Sequence, residues 1–378
     1  MTELLQAAQG QFQLSRYPLQ ARDPLRAWDA ADELILHHLA EQPAPSEPPA
    51  TLILNDSFGA LTTALHAWHP QMQSDSVLAW RGTEANLRHN GLDPSSVKLL
   101  SSLDTPRGPL DLVLIKIPKT LALLEDQLHR LRPCLTPQTQ VIAGAMIKHL
   151  PASAAELMQR ILGPTTPSLA RKKARLLFIE PDLSRAVAPP PYPTQYPLQG
   201  TPYTLLNHAN VFSREKLDIG TRLLLQHLPS SPRFNDILDL GCGNGVVGLL
   251  AAQANPRARL HFVDESFMAV ASARENFHRA FGDSRSATFV AGNCLDETPA
   301  DSQDLILNNP PFHQQQTIGD HIAWRMFRQS RDCLRAGGEL WVIGNRHLGY
   351  HLKLKKLFGN CQTVASNPKF VLLRSRKT

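Results

Sequence analysis

The segment DILDLGCGNGVVGLLAA at residues 236–252 limits what this chain can fold into more than any other part of it. A short apolar run, 236–240, enters a turn with glycines at 241, 243 and 245, and a helical pattern follows over 246–254. Glycine takes positive φ freely and lets a ligand or a neighbouring backbone come close. The GxGxG spacing differs from the GxGxxG of dinucleotide binders. An acid, Asp264 in FVDES, closes the next apolar run. A carboxylate roughly 20 residues beyond such a turn can accept the hydroxyls of a ribose.

Around this turn, strand-like runs at 236–240, 260–263, 287–290, 304–307, 339–343 and 370–373 alternate with helical runs at 246–254, 268–280, 321–334 and 350–358. The alternation predicts an α/β fold with a parallel, doubly wound sheet, whose ligand sits beyond the carboxyl ends of the strands. The first half repeats the rhythm, with strands expected at 52–54, 77–80, 97–100, 112–115 and 141–143 and a helix at 121–131. Three local matches suggest an internal duplication. They pair ILNDSFGAL (53–61) with LDLGCGNGV (238–246), TEANL (83–87) with ARENF (273–277), and IKIPK (115–119) with LNNPPF (307–312). Residues 186–200, AVAPPPYPTQYPLQG, hold five prolines and suit an extended linker. Two domains are therefore expected, 1–185 and 201–378. The 378-residue length fits this at roughly 150 residues per domain.

Composition narrows the function. Apolar residues at 42% supply full cores, and 19% charged residues exclude wholesale disorder. There is no 18-residue apolar run and no apolar leader segment, so neither a membrane span nor secretion is expected. The five cysteines are scattered and none forms a CxxC pair, which argues against a disulfide framework and for the cytoplasm. His347 and His351 stand four apart without a third ligand nearby, so no metal is expected. Residues 1–195 carry equal numbers of basic and acidic groups, so the net charge of +6 lies wholly in 196–378. An excess of positive charge suits an anionic partner such as nucleic acid. In NRHLGYHLKLKKLF, residues 345–358, Arg346, Lys353, Lys355 and Lys356 suit phosphate contacts.

The second sharp motif is NNPPF at 308–312, directly after a strand-like run. A conjugated amino group is a poor nucleophile. Two acceptors gripping its hydrogens can draw the nitrogen toward tetrahedral geometry and aim its lone pair. The Asn309 side-chain oxygen and the Pro310 carbonyl are such acceptors, the prolines keep that carbonyl rigid, and Phe312 can stack on a base.

The glycine turn with its downstream acid resembles the cofactor-binding half of class I S-adenosylmethionine-dependent methyltransferases. The sequence Asn309-Pro310-Pro311-Phe312 is similar to the Asp/Asn-Pro-Pro-aromatic motif of those that methylate exocyclic or amide nitrogens. The resemblance implies that Asp239, Gly241, Gly243 and Asp264 hold S-adenosylmethionine. It places Asn293, after the third strand, near the adenine, and gives catalysis to Asn309, Pro310 and Phe312. Residues 207–220, NHANVFSREKLDIG, are similar to a segment that covers the site in ribosomal RNA guanine-N2 methyltransferases, which adds Phe212, Asp218 and Gly220 as cofactor neighbours.

Over residues 14–376 the chain resembles the RsmC/RlmG group of those enzymes, two tandem Rossmann-like methyltransferase domains of which the first is degenerate. LRAWDAADELIL, IKIPKTLALLEDQL, LGPTTPSLARKKARL and NPPFHQQ look most like the large-subunit branch. The implied activity is methylation of N2 of a guanine in 23S rRNA, giving N2-methylguanosine, by a monomer. The same chemistry on 16S rRNA, or on a glutamine amide of a protein, is the alternative. In the first half Ser57, Gly59 and Leu61 stand for the three glycines, Trp80-Arg81 for the ribose acid, and Lys116-Ile117-Pro118-Lys119 for NNPPF. That half is expected to have lost catalysis and to recognise RNA, with Lys116, Lys119, Arg171, Lys172 and Lys173 as contacts.

Overall fold

A computed structural model describes residues 2–19, 25–311 and 316–378, with side chains from His321 in the last stretch. The chain divides into two compact units, Met1–Tyr192 and Pro193–Thr378, so the division falls within the proline-rich segment.

The first unit begins with a hairpin, β1 (Thr2–Ala7) and β2 (Gly10–Ser15), followed by α1 (Ala30–Ala40). Then come β3 (Thr51–Leu54), α2 (Ala60–Ala64), β4 (Gln71–Ser74), α3 (Val77–His89), β5 (Lys98–Ser101), β6 (Leu112–Lys116) and α4 (Leu121–Leu131). It closes with β7 (Gln140–Met146), α5 (Ala152–Ile161), β8 (Thr165–Pro167) and β9 (Ala174–Ile179).

The second unit repeats the plan. A hairpin, β10 (Thr194–Pro197) and β11 (Thr204–Asn207), leads into α6 (Ile219–Leu225). Next are β12 (Asp236–Leu240), α7 (Val246–Ala254), β13 (Arg259–Asp264), α8 (Phe267–Phe281), β14 (Ala287–Ala291), β15 (Gln303–Asn308) and α9 (Gln316–Cys333). The last elements are β16 (Leu334–Asn345), α10 (Tyr350–Phe358), β17 (Gln362–Ser366) and β18 (Phe370–Arg376).

Each unit holds a seven-stranded sheet, ordered β5-β4-β3-β6-β7-β9-β8 and β14-β13-β12-β15-β16-β18-β17. Counted within each sheet, the order is the same, 3-2-1-4-5-7-6. In both, the seventh strand runs antiparallel to its two neighbours and the first five strands pair in parallel. Central strands are apolar on both faces because helices cover both. Along β12, Ile237 packs into one core with Phe262, Leu307 and Ile343, while Leu238 and Leu240 pack into the other with Ile306 and Val342. Among the described residues no helix is long and apolar enough to cross a membrane.

The duplication extends to single side chains. Asn276 on α8 holds Leu206 of the hairpin through N–H and C=O and donates to the Asn244 carbonyl. Asn86 on α3 does the same to Ser15 and the Phe58 carbonyl.

Several expectations need correction. Residues 77–80 (VLAW) look like a strand but open α3, because the Ser76 hydroxyl caps that helix by accepting from the Leu78 N–H. The strand is β4, one step earlier. By sheet register Ser74, not Trp80-Arg81, stands at the Asp264 position, since Gln73 and Val263 occupy equivalent rungs. Gly59 matches Gly245 rather than Gly243. Both immediately precede the second helix of their unit with φ of 76° and 78°, and a Cβ on either would collide with the helix after it, at Thr83 or Ala273. The linker is shorter than 186–200, because Thr194 already belongs to β10. The antiparallel β17 and the two hairpins lie outside the expected strands, although β2 alternates buried Phe12 and Leu14 with exposed Gln11 and Gln13.

Candidate active site

The carboxyl ends of β12 and β15 lie side by side, with Leu240 registered against Asn308. The Asn308 amide is buried and donates to the Leu240 carbonyl at 2.8 Å, which clamps the two strand ends. The glycine turn and the Asn-Pro-Pro turn therefore leave the sheet together, and a Cβ on Gly241 would lie 3.7 Å from the Asn309 carbonyl oxygen.

The turn is built from beneath. Asp239 is 2% exposed and its carboxylate accepts the Gly248 N–H at 2.8 Å. Burial pushes its carboxyl up to about 8 despite that hydrogen bond, with the nearby Asp264 charge adding to the rise. Asp239 therefore supports the start of α7 and does not face a ligand, which corrects the contact expected from the sequence. Asp264, half-buried at the tip of β13, accepts the Gly243 N–H at 2.9 Å and the Ser266 N–H at 3.0 Å. Burial raises its carboxyl too. Gly243 has φ 53°, and a Cβ there would meet no atom within 4 Å, so the turn presents open backbone at this point.

Asn309 follows β15. Its Nδ2 donates to Thr221 Oγ1 at 3.0 Å, whereas its Oδ1 is buried and has no hydrogen-bond partner among the described residues. Pro310 is buried beside it. Phe312 lies outside the described residues. Asp218 is the N-cap of α6 and accepts from the Thr221 N–H at 2.9 Å. Gly220 leaves room for this cap, since a Cβ there would sit 3.0 Å from Asp218 Oδ2 and from the Phe370 ring. Phe212 is exposed in the loop before α6. Asn293 is buried at the turn after β14, where its amide donates to Asp296, itself held by Arg325.

The network missed by the sequence reading is the hairpin's hold on the turn. Asn244 Nδ2 donates to Asn207 Oδ1 at 2.8 Å and to the Tyr196 hydroxyl at 3.3 Å. Thr221 was missed as well, although Asp218-x-x-Thr221 has the spacing of an N-cap with its third helical residue.

The basic candidates divide. Lys116 is largely buried, with its ammonium 2.8 Å from both Asp29 Oδ1 and Asp32 Oδ2. Burial works to lower its pKa, but the two carboxylates outweigh it and hold it above the ordinary value. It is a structural cation, so the expected RNA contact is corrected. Lys119, Arg171, Lys172 and Lys173 are exposed; Lys172 pairs with Glu33 at 2.9 Å and Arg171 reaches His37. Lys355 and Lys356 on α10 and Arg346 before it are exposed, and Lys353 is half-buried. Among the described residues no group of three or more His, Cys, Asp or Glu side chains is arranged to hold a metal ion.

Comparison with known proteins assigns the chain to a family. Residues 2–183 match the RLMG N-terminal domain and residues 202–374 match the methyltransferase small domain. A ribosomal RNA large subunit methyltransferase G of Ectopseudomonas mendocina is 53% identical over 368 residues, 97% of each chain. The protein of that name from Streptomyces avermitilis is 52% identical over 375 residues, again 97% of each. Among solved structures, the T. thermophilus 16S rRNA N2 methyltransferase RsmC, in complex with AdoMet and guanosine, superposes with a TM-score of 0.76. It covers 100% of this chain and 98% of its own at 20% identity, which establishes the shared two-domain fold. By sequence along nearly its whole length, the chain belongs to the ribosomal RNA large subunit methyltransferase G family.

Proposed function

We propose that the chain transfers the methyl group of S-adenosylmethionine to the exocyclic N2 of a guanine in 23S rRNA, giving N2-methylguanosine, and that it acts in the cytoplasm as a monomer. The single observation that carries the chemistry is Asn309 Oδ1, a buried acceptor with no donor among the described residues, on a turn whose backbone lies beside the glycine turn. Leaving such a group unpaired costs about 1–3 kcal/mol, which a substrate N–H2 would offset. The 53% identity to proteins named for the large subunit supports 23S rRNA over 16S rRNA.

The residues present fit the cofactor. Open backbone at Gly243 gives a close approach, and the Asp264 oxygens, which accept backbone N–H groups of Gly243, Glu265 and Ser266, keep a lone pair for a ribose hydroxyl. When bound, S-adenosylmethionine supplies a methyl group on positively charged sulfur, so an N–CH3 bond forms as S–CH3 breaks and a proton leaves N2. Asn309 Oδ1 and the Pro310 carbonyl would take the two amino hydrogens and orient the lone pair, which makes catalysis mainly positioning. The guanine must leave its stack to reach them. Lys119, Lys173, Arg346, Lys355 and Lys356 offer exposed charge to phosphates. Lys172 and Lys173 hold φ of 49° and 62° in the two-residue turn between Arg171 and Ala174, positions that favour Asn and Gly. Lysines kept at a strained tip support an RNA contact there.

The test uses ribosomal RNA from cells lacking this protein, incubated with the purified chain and methyl-labelled S-adenosylmethionine. Label in N2-methylguanosine of 23S rRNA is expected. Label confined to 16S rRNA overturns the substrate, and a parallel incubation with whole ribosomes that labels only protein overturns it as well.

A further inference from the structure

Resting on the methyl-transfer reading above, we infer that Thr221 and Asp218 form a relay that fixes which way the Asn309 amide points. An asparagine side chain exposes an oxygen on one side and an N–H2 on the other, and only the oxygen can take a hydrogen from a substrate amino group. Nothing within Asn309 itself selects the useful orientation. The Thr221 hydroxyl lies between the two side chains, 3.0 Å from Asn309 Nδ2 and 3.3 Å from Asp218 Oδ2.

Ionised Asp218 only accepts, so the Thr221 proton is directed to it. Thr221 Oγ1 then has lone pairs alone to offer Asn309, which forces Nδ2 toward Thr221 and Oδ1 away from it. That is the arrangement observed, with Oδ1 buried and without a hydrogen-bond partner among the described residues. Gly220 eases the relay, because a Cβ there would sit 3.0 Å from Asp218 Oδ2.

The first unit supplies an independent copy of this geometry. Ile115 and Asn308 occupy equivalent rungs, so Lys116 stands where Asn309 stands. Lys116 bonds to Asp32, the third residue of α1, and to Asp29, its N-cap. Asn309 bonds to Thr221, the third residue of α6, whose N-cap is Asp218. Both units thus tie the tip of the fourth sheet strand to the first turn of their first helix. In the first unit the tie holds its donor between two carboxylates. In the second it is made by one hydroxyl, which holds the amide and leaves its oxygen available. Thr221 and Asp218 are positioning residues, since neither needs to touch the substrate.

The experiment measures kcat, KM for 23S rRNA and S-adenosylmethionine affinity for the full chain and three variants. Thr221→Val keeps the shape and removes the hydroxyl. It is expected to lower kcat about 100-fold, the scale of a small misplacement of a reacting group, with cofactor affinity unchanged. Thr221→Ser restores the hydroxyl and is expected to recover most of kcat. Asp218→Asn keeps a good helix cap but lets the side chain donate to Thr221, so the hydroxyl can turn toward Asn309. It is expected to cost about tenfold in kcat, or roughly 1.4 kcal/mol. A Thr221→Val protein within about threefold of the unsubstituted kcat overturns the relay while leaving methyl transfer established. Equal losses in Thr221→Val and Thr221→Ser with a fall in Tm also overturn it, in favour of a purely structural role. No methyl transfer to RNA by the unsubstituted chain overturns the reading of the site, and the relay with it.

Discussion

Lys116 Nζ lies 2.8 Å from Asp32 Oδ2, and both groups are withdrawn from solvent. A charge excess read from sequence treats every lysine as surface, yet this one crosses to the first turn of α1. Removing one partner of a buried ion pair leaves the other uncompensated, at a cost of about 3–5 kcal/mol. Lys116→Ala is therefore expected to lower Tm strongly, and RNA affinity measured on the remaining folded protein is expected to stay unchanged. A variant with normal Tm and weakened RNA binding would restore the RNA role.

Asn309 and Asp264 separate catalysis from binding. Asn309→Ala is expected to lower kcat by roughly 10²–10³-fold, the range for losing one preorganised polar contact to the reacting group. Its S-adenosylmethionine affinity by calorimetry should hold. Asp264→Ala is expected to weaken cofactor affinity by about 1.5–3 kcal/mol, the size of a hydrogen bond to a charged group. Equal loss of both properties in Asn309→Ala would sink its assigned role.

Asp239 gives a pH signature. Burial lifts its carboxyl to about 8 in the folded chain, against about 3.9 when unfolded. A raised acid binds its proton more tightly in the folded state, so its contribution is fully present below about pH 4 and is lost as pH rises through about 8. Asp239→Asn stays uncharged and keeps an acceptor for the Gly248 N–H. Measured without cofactor, its Tm is expected to exceed that of the unsubstituted chain above pH 8, with the gap narrowing steadily toward pH 4. A gap that does not change with pH would assign the titration elsewhere.

The glycines of the turn should fail in different ways. Gly245→Ala sets a Cβ 2.7 Å from that of Ala273 in a left-handed backbone, and overpacking of this kind costs about 1–3 kcal/mol. Gly243→Ala meets open space, so its stability cost is the backbone strain alone, about 1–2 kcal/mol. Its larger effect is expected in cofactor affinity. Thermal melts paired with calorimetry distinguish the two, and identical behaviour would remove the cradle from Gly243.

The glycine turn, Asp264 and Asn309 were legible because each is required by chemistry within a few residues of its own strand end. The repeated fold was legible as well, and Asn86 and Asn276, matched from sequence, make the same bonds in both units. Registers were less secure. Gly59 was paired with Gly243 although it packs as Gly245 does, and VLAW at 77–80 looked like a strand until Ser76 capped it as a helix. A β-branched and aromatic run favours a strand only weakly, and a cap with sheet packing around it overrides that preference.

The sequence by itself determined the alternation of strands and helices in each half, the two motifs and the cofactor type they suit. Hydrophobic period and turn chemistry act over a few residues and are written locally. Only the tertiary structure decided that Asp239 faces inward, that Lys116 is a buried ion-pair partner, and that Asn309 turns its amide nitrogen to Thr221. Each of those outcomes depends on a distant partner, such as Thr221, 88 residues before Asn309. Parallel strand pairing fixes such neighbours by register, and a side chain's direction and charge state follow from what the completed sheet packs against it.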